Sequence, residues 1–382
     1  MKKFIIYAVL SLFLFPGIVF TSQEEVTTST VVLGNGPDVS TPIADVFFKA
    51  KVVEVQKGEI KEEFGTKSFF QNVKVELIDG DLKGKQLNLL YESRSNAEDQ
   101  LGLKMGEKVV VGRSLNEFDT QETYYIADVY RLHALLWFFL FFIFVALIFA
   151  GKHGMHAFIG LGLSFFVIMY FIVPKIISGS NPFLISFVGT MAIACFSIYV
   201  AHGIKPRTHI AFFSTIVTIF ISLLLAYIAV HSMRLFGLGS EEAFYLRFSP
   251  KGEINLQGLL LGGIIIGTLG ILDDITTAQA ASVDEIHKAN SSLSFGELYK
   301  RGLSVGKEHI ISLVNTLVLA YTGASFPLLL LFNIYQQPIW LTLNSEILIE
   351  EIARMLVGSI SLIFAVPITT ALAAYVFSRK KT

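Results

Sequence analysis

GGIIIGTLGILDDITTAQAAS, the stretch from Gly262 to Ser282, decides the fold class. Its first half is apolar and glycine-rich and reads as a membrane-spanning helix, until Asp273 and Asp274 interrupt it. A carboxylate at the centre of a bilayer helix costs roughly 2.5–3.5 kcal/mol or more, so such acids face a partner or a polar cavity. Depth therefore governs what function can be read here. Counted from Asn255, Asp273 lies about 18 residues, or ~27 Å at helical rise, into the segment. That puts the pair near one edge of a ~30 Å hydrocarbon core rather than at its midplane. Two readings stay open: a transport or coupling site at the mouth of a vestibule, or a helix end with the aspartates capping the next segment.

Outward from that stretch, the whole chain has membrane composition. Of its 382 residues 53% are hydrophobic and only 16% charged, and mean hydropathy is +0.61, far from the balance of a soluble domain. The net charge of −1 hides a division: residues 21–133 carry 13 Lys/Arg against 19 Asp/Glu, and the remainder 17 against 12. After residue 133, seven apolar segments are long enough to span a bilayer, at about 134–151, 155–174, 181–201, 209–236, 255–274, 309–332 and 352–377. With residues 21–133 outside, the inside loops and tail hold Lys152, Lys205, Arg207, Lys288, Lys300, Arg301, Lys307, Arg379, Lys380 and Lys381. The outside positions are Lys175, Arg234, Arg247, Lys251 and Arg354. This basic excess predicts an outside N-terminus and an inside C-terminus.

The N-terminus, MKKFIIYAVLSLFLFPGIVFTS, opens on Lys2–Lys3 and an apolar core of signal-peptide length that Pro16 and Gly17 break. Residues 1–21 read as a signal peptide, with a retained anchor as the alternative, and both would export the residues after them. Residues 22–44 are rich in Ser, Thr, Gly and Pro and read as a flexible linker. Residues 45–133 change to short β runs: DVFFKAKVVEVQ, SFFQNVKVELID, KQLNLLYES, EKVVVGRS and TYYIADVYR. Val73, Val75 and Leu77 alternate with Lys74, Glu76 and Ile78, the pattern of a half-buried strand. Asp79-Gly80 and Lys83-Gly84-Lys85 supply turn chemistry. Five such strands predict a small antiparallel β-barrel-like domain, with an OB-like topology as one option. The acidic balance argues against anionic polymers, and no basic, aromatic-laced patch suggests nucleic acid, so contact with an envelope protein is the plainer expectation.

The fifth apolar segment contains Gly258, Gly262, Gly263, Gly267 and Gly270, and Gly258-x3-Gly262 and Gly263-x3-Gly267 are small-xxx-small patterns that let helix backbones approach, within the chain or between copies. Beyond them Asp273, Asp274, Thr277 and Gln279 gather into a polar group. The sixth segment begins Lys307-Glu308-His309, and Ser312, Asn315, Thr316 and Gly323 come after it on one stripe expected to face other helices. His309 falls at the level of the acid pair, where an imidazole beside carboxylates suits proton coupling. Glu350 and Arg354, one helical turn apart at the opposite boundary, are placed to pair. Pro367 removes a backbone bond, and Thr369 and Thr370 can re-satisfy freed carbonyls. ITTALAA at 368–374 nearly repeats ITTAQAA at 275–281, too short a match to establish a repeat.

Enzyme and metal chemistry find little footing. No phosphate-cradling G-x4-G-K-[ST] and no H-E-x-x-H is present. Adjacent aspartates on one helix point in different directions, unlike acids that meet from two helices of an intramembrane protease. His133, His153, His156, His202, His209 and His231 fall at span ends, as interfacial residues do, so neither metal nor cofactor is expected. The single cysteine, Cys195, gives no disulfide framework.

Three longer stretches carry a family resemblance: LGILDDITTAQAASVDEI at 269–286, RGLSVGKEHIISLVNTLVLAYTGASFPLLLLF at 301–332, and EEIARMLVGSISLIFAVPITTALAA at 350–374. They resemble the bacterial YibE/F-like membrane proteins, and the resemblance extends to the β domain ending YYIADVYR and to the first span. It implies a multi-pass protein of the bacterial cytoplasmic membrane. It puts Asp273, Asp274, Asn315 and Thr316 in family motif regions and carries over no catalytic or binding role.

These readings predict an α-helical integral membrane protein, with seven transmembrane helices over 134–382 and an exported small antiparallel β-barrel-like domain over 45–133. The expected function is permease-like movement of a small solute or ion, with proton coupling as an option. Its site would group Asp273, Asp274, Thr277 and Gln279 with His309, Asn315 and Thr316. Expected partners are the lipid bilayer, the solute, and an envelope protein or a second copy of the chain. The alternative is a non-transporting scaffold or sensor whose exported domain binds an envelope partner. A membrane enzyme acting on lipid-linked substrates would need a polar cavity open to the bilayer.

Overall fold

The computed structural model describes residues 46–63, 66–93, 102–115, 122–248, 254–335 and 338–379. The expected signal segment, 1–21, and linker, 22–44, lie outside the described residues. The chain divides into two compact units whose boundary falls between Val145 and Ala146.

The first unit is built on an antiparallel sheet of six strands, one more than the sequence pattern predicts: β1 (Val46–Val55), β2 (Glu59–Glu63), β3 (Thr66–Leu77), β4 (Gln86–Ser93), β5 (Lys108–Leu115) and β6 (Glu122–Val129). The additional strand is β2, whose EIKEE carries charge instead of apolar alternation and is held only by pairing with the start of β3. β1 is central, between β3 and β5, and β3 pairs β4 along its other edge. The sheet curls into a half-barrel, in which β4 and β6 approach each other without a described ladder between them. Register sets the core: Val52 pairs Val75, Ala50 pairs both Leu77 and Val109, and Phe48 pairs Val111. All of these side chains are buried, together with Val73 and Leu89. The one polar residue buried among them, Gln71, accepts from the Leu103 amide at 2.8 Å and donates to the Gln56 carbonyl at 3.3 Å. Gly80 takes the positive φ of 77° that the β3–β4 turn requires.

Seven helices are long and apolar enough to cross a membrane: α1 (Leu132–Gly151), α2 (Gly154–Ile177), α3 (Pro182–His202), α4 (Pro206–Ser232), α6 (Leu256–Ala289), α7 (Phe295–Ala324) and α10 (Glu346–Arg379). Three short ones intervene: α5 (Glu241–Arg247), α8 (Phe326–Ile334) and α9 (Ile339–Leu343). Helix starts obey capping chemistry. Asn181 and Asn255 accept from the amides of Leu184 and Gly258, and Ser294 with Glu297 forms a capping box. That box starts α7 inside polar sequence, well before the apolar segment at 309. Gly151, at φ 55°, breaks α1 from α2, and a π-turn at Ile168–Ile172 precedes Pro174.

The longest-range difference from expectation is in α6. It does not end at the aspartates but runs through them to Ala289, about 51 Å in all. The reason is a continuous inward stripe: Leu272, Ile275, Thr276, Gln279, Ala280 and Val283 recur at helical spacing and are all buried. This α6 packs against α3, α4 and α10, and α7 packs mainly against α10. Ile265, Leu269, Leu272 and Ile275 meet Ile219, Ala365 and Val366 in the main apolar cluster.

At one end of this bundle a clasp joins α4 to α10. Glu346 Oε1 accepts from the amides of Phe236 at 2.6 Å and Gly237 at 3.1 Å, and Glu350 Oε1 from that of Gly239 at 3.0 Å. Glu350 is thus committed to the turn after α4, and Arg354 pairs with Glu351 instead of the expected Glu350. Pro367 is carried inside α10. Thr370 donates to the Val366 carbonyl at 2.7 Å, not to that of Ile363, which Pro367 deprives of its helical donor. Thr369 is buried with no hydrogen-bond partner.

Candidate functional site

Successive residues on a helix point about 100° apart, and the two aspartates of α6 use that angle to face different surroundings. Asp273 is half-buried and turns toward α3, where Ser197 Oγ donates to its Oδ2. Its Oδ1 is buried without a hydrogen-bond partner. Asp274 is exposed and lines a cavity of about 450 Å³ between α3, α4, α6 and α7. Thr277 and Ala278, one turn on, line the same wall, and the Thr277 hydroxyl is spent on the carbonyls of Asp273 and Asp274 at 2.8 and 3.1 Å.

The opposite walls come from helix ends. His202 closes α3 and Arg207 and Thr208 open α4, where Pro206 occupies the first turn and Lys205 supplies no side-chain cap. Thr208 is 1% exposed, and its Oγ1 has no hydrogen-bond partner. From α7 come His309, Ser312 and Leu313. Among the described residues, neither Arg207 nor Asp274 is in an ion pair. One cavity therefore presents a carboxylate, a guanidinium and a buried free hydroxyl. Among the described residues no group of three or more His, Cys, Asp or Glu is disposed to hold a metal ion.

Of the sequence-predicted site residues, Asp274, Thr277 and His309 meet at the cavity, and Asp273 stands directly behind it. Gln279 is elsewhere. Its Nε2 donates to the Gly302 carbonyl at 2.8 Å and to Thr370 Oγ1 at 2.7 Å, tying α6 to α7 and α10. Asn315 and Thr316 are exposed on α7 and do not face neighbouring helices. The physical reason lies in how α7 is held: it buries only Leu298, Gly302 and Gly306, all near its start, so Asn315 and Thr316 are left exposed while Ser312 lines the cavity. The glycines divide likewise. A Cβ on Gly262 would collide with Ser186 of α3, whereas Gly263 and Gly270 face open space. Gly258 lies against its own cap, Asn255, and Gly267 near the Tyr321 hydroxyl. Sequence reasoning missed Ser197, Arg207 and Thr208 as site residues, although Lys205-Pro206-Arg207-Thr208 is a recognisable helix start.

Seven apolar helices with hydroxyls and amides turned to the interior define a multi-pass membrane protein by length and composition. More particularly, the chain belongs to the YibE/F-like protein family, whose model matches residues 137–379. That match takes in all four helices of the cavity. Neither the comparison with curated proteins nor that with solved structures gave a match.

Proposed function

We propose that this is a permease-like protein that moves a small solute or ion through the cavity between α3, α4, α6 and α7, coupled to protons. The observation that carries the reading is the division of the acid pair: Asp274 faces the cavity, and Asp273 faces Ser197 inside the bundle. Asp274 is then the solute-facing group. Asp273, with a hydroxyl on one oxygen and nothing on the other, is the group that takes up and releases the coupling proton. In this reading the chain lies in the bacterial cytoplasmic membrane with its sheet domain outside, and the cavity opens on the inner side, where the basic loop residues concentrate. His309, on the cavity wall, is then a group that can pass protons into the cavity.

The test is proteoliposomes of the full chain with an internal pH dye, challenged in turn with pools of amino acids, carboxylates, amines and metal cations. One pool should drive a proton flux. Asp273→Asn should abolish that flux while solute exchange persists, and Asp274→Asn should weaken the solute dependence about tenfold, or ~1.4 kcal/mol. Correctly inserted variants that behave as the parent chain, or no flux with any pool, overturn the reading.

A further inference from the structure

We propose that the cavity takes a small zwitterion of amino-acid size, its carboxylate held by Arg207 and Thr208 at the first turn of α4 and its ammonium held by Asp274. This rests on the permease reading for its transport sense, and on the cavity alone for binding. The charges make the case. Arg207 and Asp274 line one chamber, and neither is paired with the other or with any described residue. The remaining wall mixes apolar side chains such as Ile275 and Leu313 with His202, His309 and Ser312. A simple anion entering to meet Arg207 would face Asp274, and a simple cation entering to meet Asp274 would face Arg207. A ligand that carries both signs a few bonds apart satisfies both.

Two further observations fix which end goes where. Thr208 is buried, and its Oγ1 lacks a partner beside Arg207, as a donor waiting for an acceptor would be. It stands in the first turn of a 27-residue helix with no side-chain cap, where the helix dipole favours a carboxylate. Thr277 on the facing wall has spent its hydroxyl proton on α6 carbonyls, so that wall offers acceptors, the Asp274 carboxylate foremost, to an ammonium. The volume, about 450 Å³, lies toward the lower end of the ~300–1,000 Å³ common for small-molecule sites.

Calorimetric titration of the detergent-solubilised full chain tests this, using each protein amino acid separately and ethylamine and propionate as single-charge halves. At least one amino acid should bind, and both halves should fail at the same concentrations. Arg207→Gln and Asp274→Asn should each weaken binding at least tenfold, and Thr208→Val several-fold, with Thr208→Ser restoring the parent affinity. Arg207→Lys, which keeps the charge, guards against a folding defect and should bind measurably. Propionate or ethylamine binding as tightly as any amino acid, or an affinity indifferent to Arg207 and Asp274, overturns the inference. Flux driven only by another pool, without amino-acid binding, sinks the zwitterion and leaves the permease standing. Arg207- and Asp274-dependent binding without flux does the reverse.

Discussion

The sheet and the helical bundle differ in what they bury beside their apolar cores. In the sheet the interior is Phe48, Ala50, Val52, Val75, Leu77, Val109 and Val111, with Gln71 the one buried polar residue among the described residues. In the bundle Ser214, Thr215, Thr218, Ser222, Thr276, Ser361, Thr369 and Thr370 are buried, while Phe138, Phe141, Phe149, Phe213 and Phe220 are exposed. Water drives the first arrangement. The second suits an apolar surround, in which helices gain nothing by hiding phenylalanine and associate through small residues and hydrogen bonds. Hydroxyls are tolerable inside because most are spent locally: Ser214, Thr218 and Ser361 each donate to the carbonyl four residues back. Thr215 with Thr276 at 2.8 Å, and Ser222 with Ser361 at 2.6 Å, then link neighbouring helices.

That contrast can be broken by moving one charge. Val75→Asp places a carboxylate in the sheet interior and should cost several kcal/mol, unfolding the sheet while the helices remain inserted. Limited proteolysis of membrane vesicles reads this directly. Phe220→Asp, at a surface position, should cost a comparable ~2.5–3.5 kcal/mol in insertion assays, because its surface meets lipid. A harmless Phe220→Asp would mean that α4 faces water and would undo the contrast. A smaller effect belongs to Gly306→Leu, whose side chain would collide with Val366 and Gln279. It should lower thermal stability in detergent by about 1–3 kcal/mol. Smallest is the coupling between Ser222→Ala and Ser361→Ala in a double-mutant cycle, about 0.6 kcal/mol. A coupling near zero would reduce that pair to packing alone.

Much of the fold was legible because each part keeps to one period. Alternation at Val73, Val75 and Leu77 marked β3, and apolar length marked all seven long helices. β2 leaves no such trace, since EIKEE is held by its partner and not by its own pattern. Hydropathy also mislocated two ends: it locates where lipid is, whereas α6 and α7 continue into polar sequence on buried stripes and caps. In the site, Asp274 and His309 were legible as rare polar groups at one depth. Arg207 and Thr208 were not, because counting Arg207 as a flanking charge hides the turn that aims it. Gln279 misled for a related reason: an amide among alanines reads the same whether it meets a solute or, as here, Gly302 and Thr370.

The clasp of Glu346 and Glu350 on residues 236–239 has a mechanical consequence. It pins the last residues after α4 to the first turns of α10, and Ser222 with Ser361 adds a rivet farther along. Arg207 and Thr208 stand at the opposite tip of α4, beyond both fastenings. That tip is held as well, because Ile210 and Ala211 share a buried cluster with Ala373, Ala374 and Phe377 of α10. α4 and α10 are thus fastened along their length into one strut, and Arg207 and Thr208 are carried on its end.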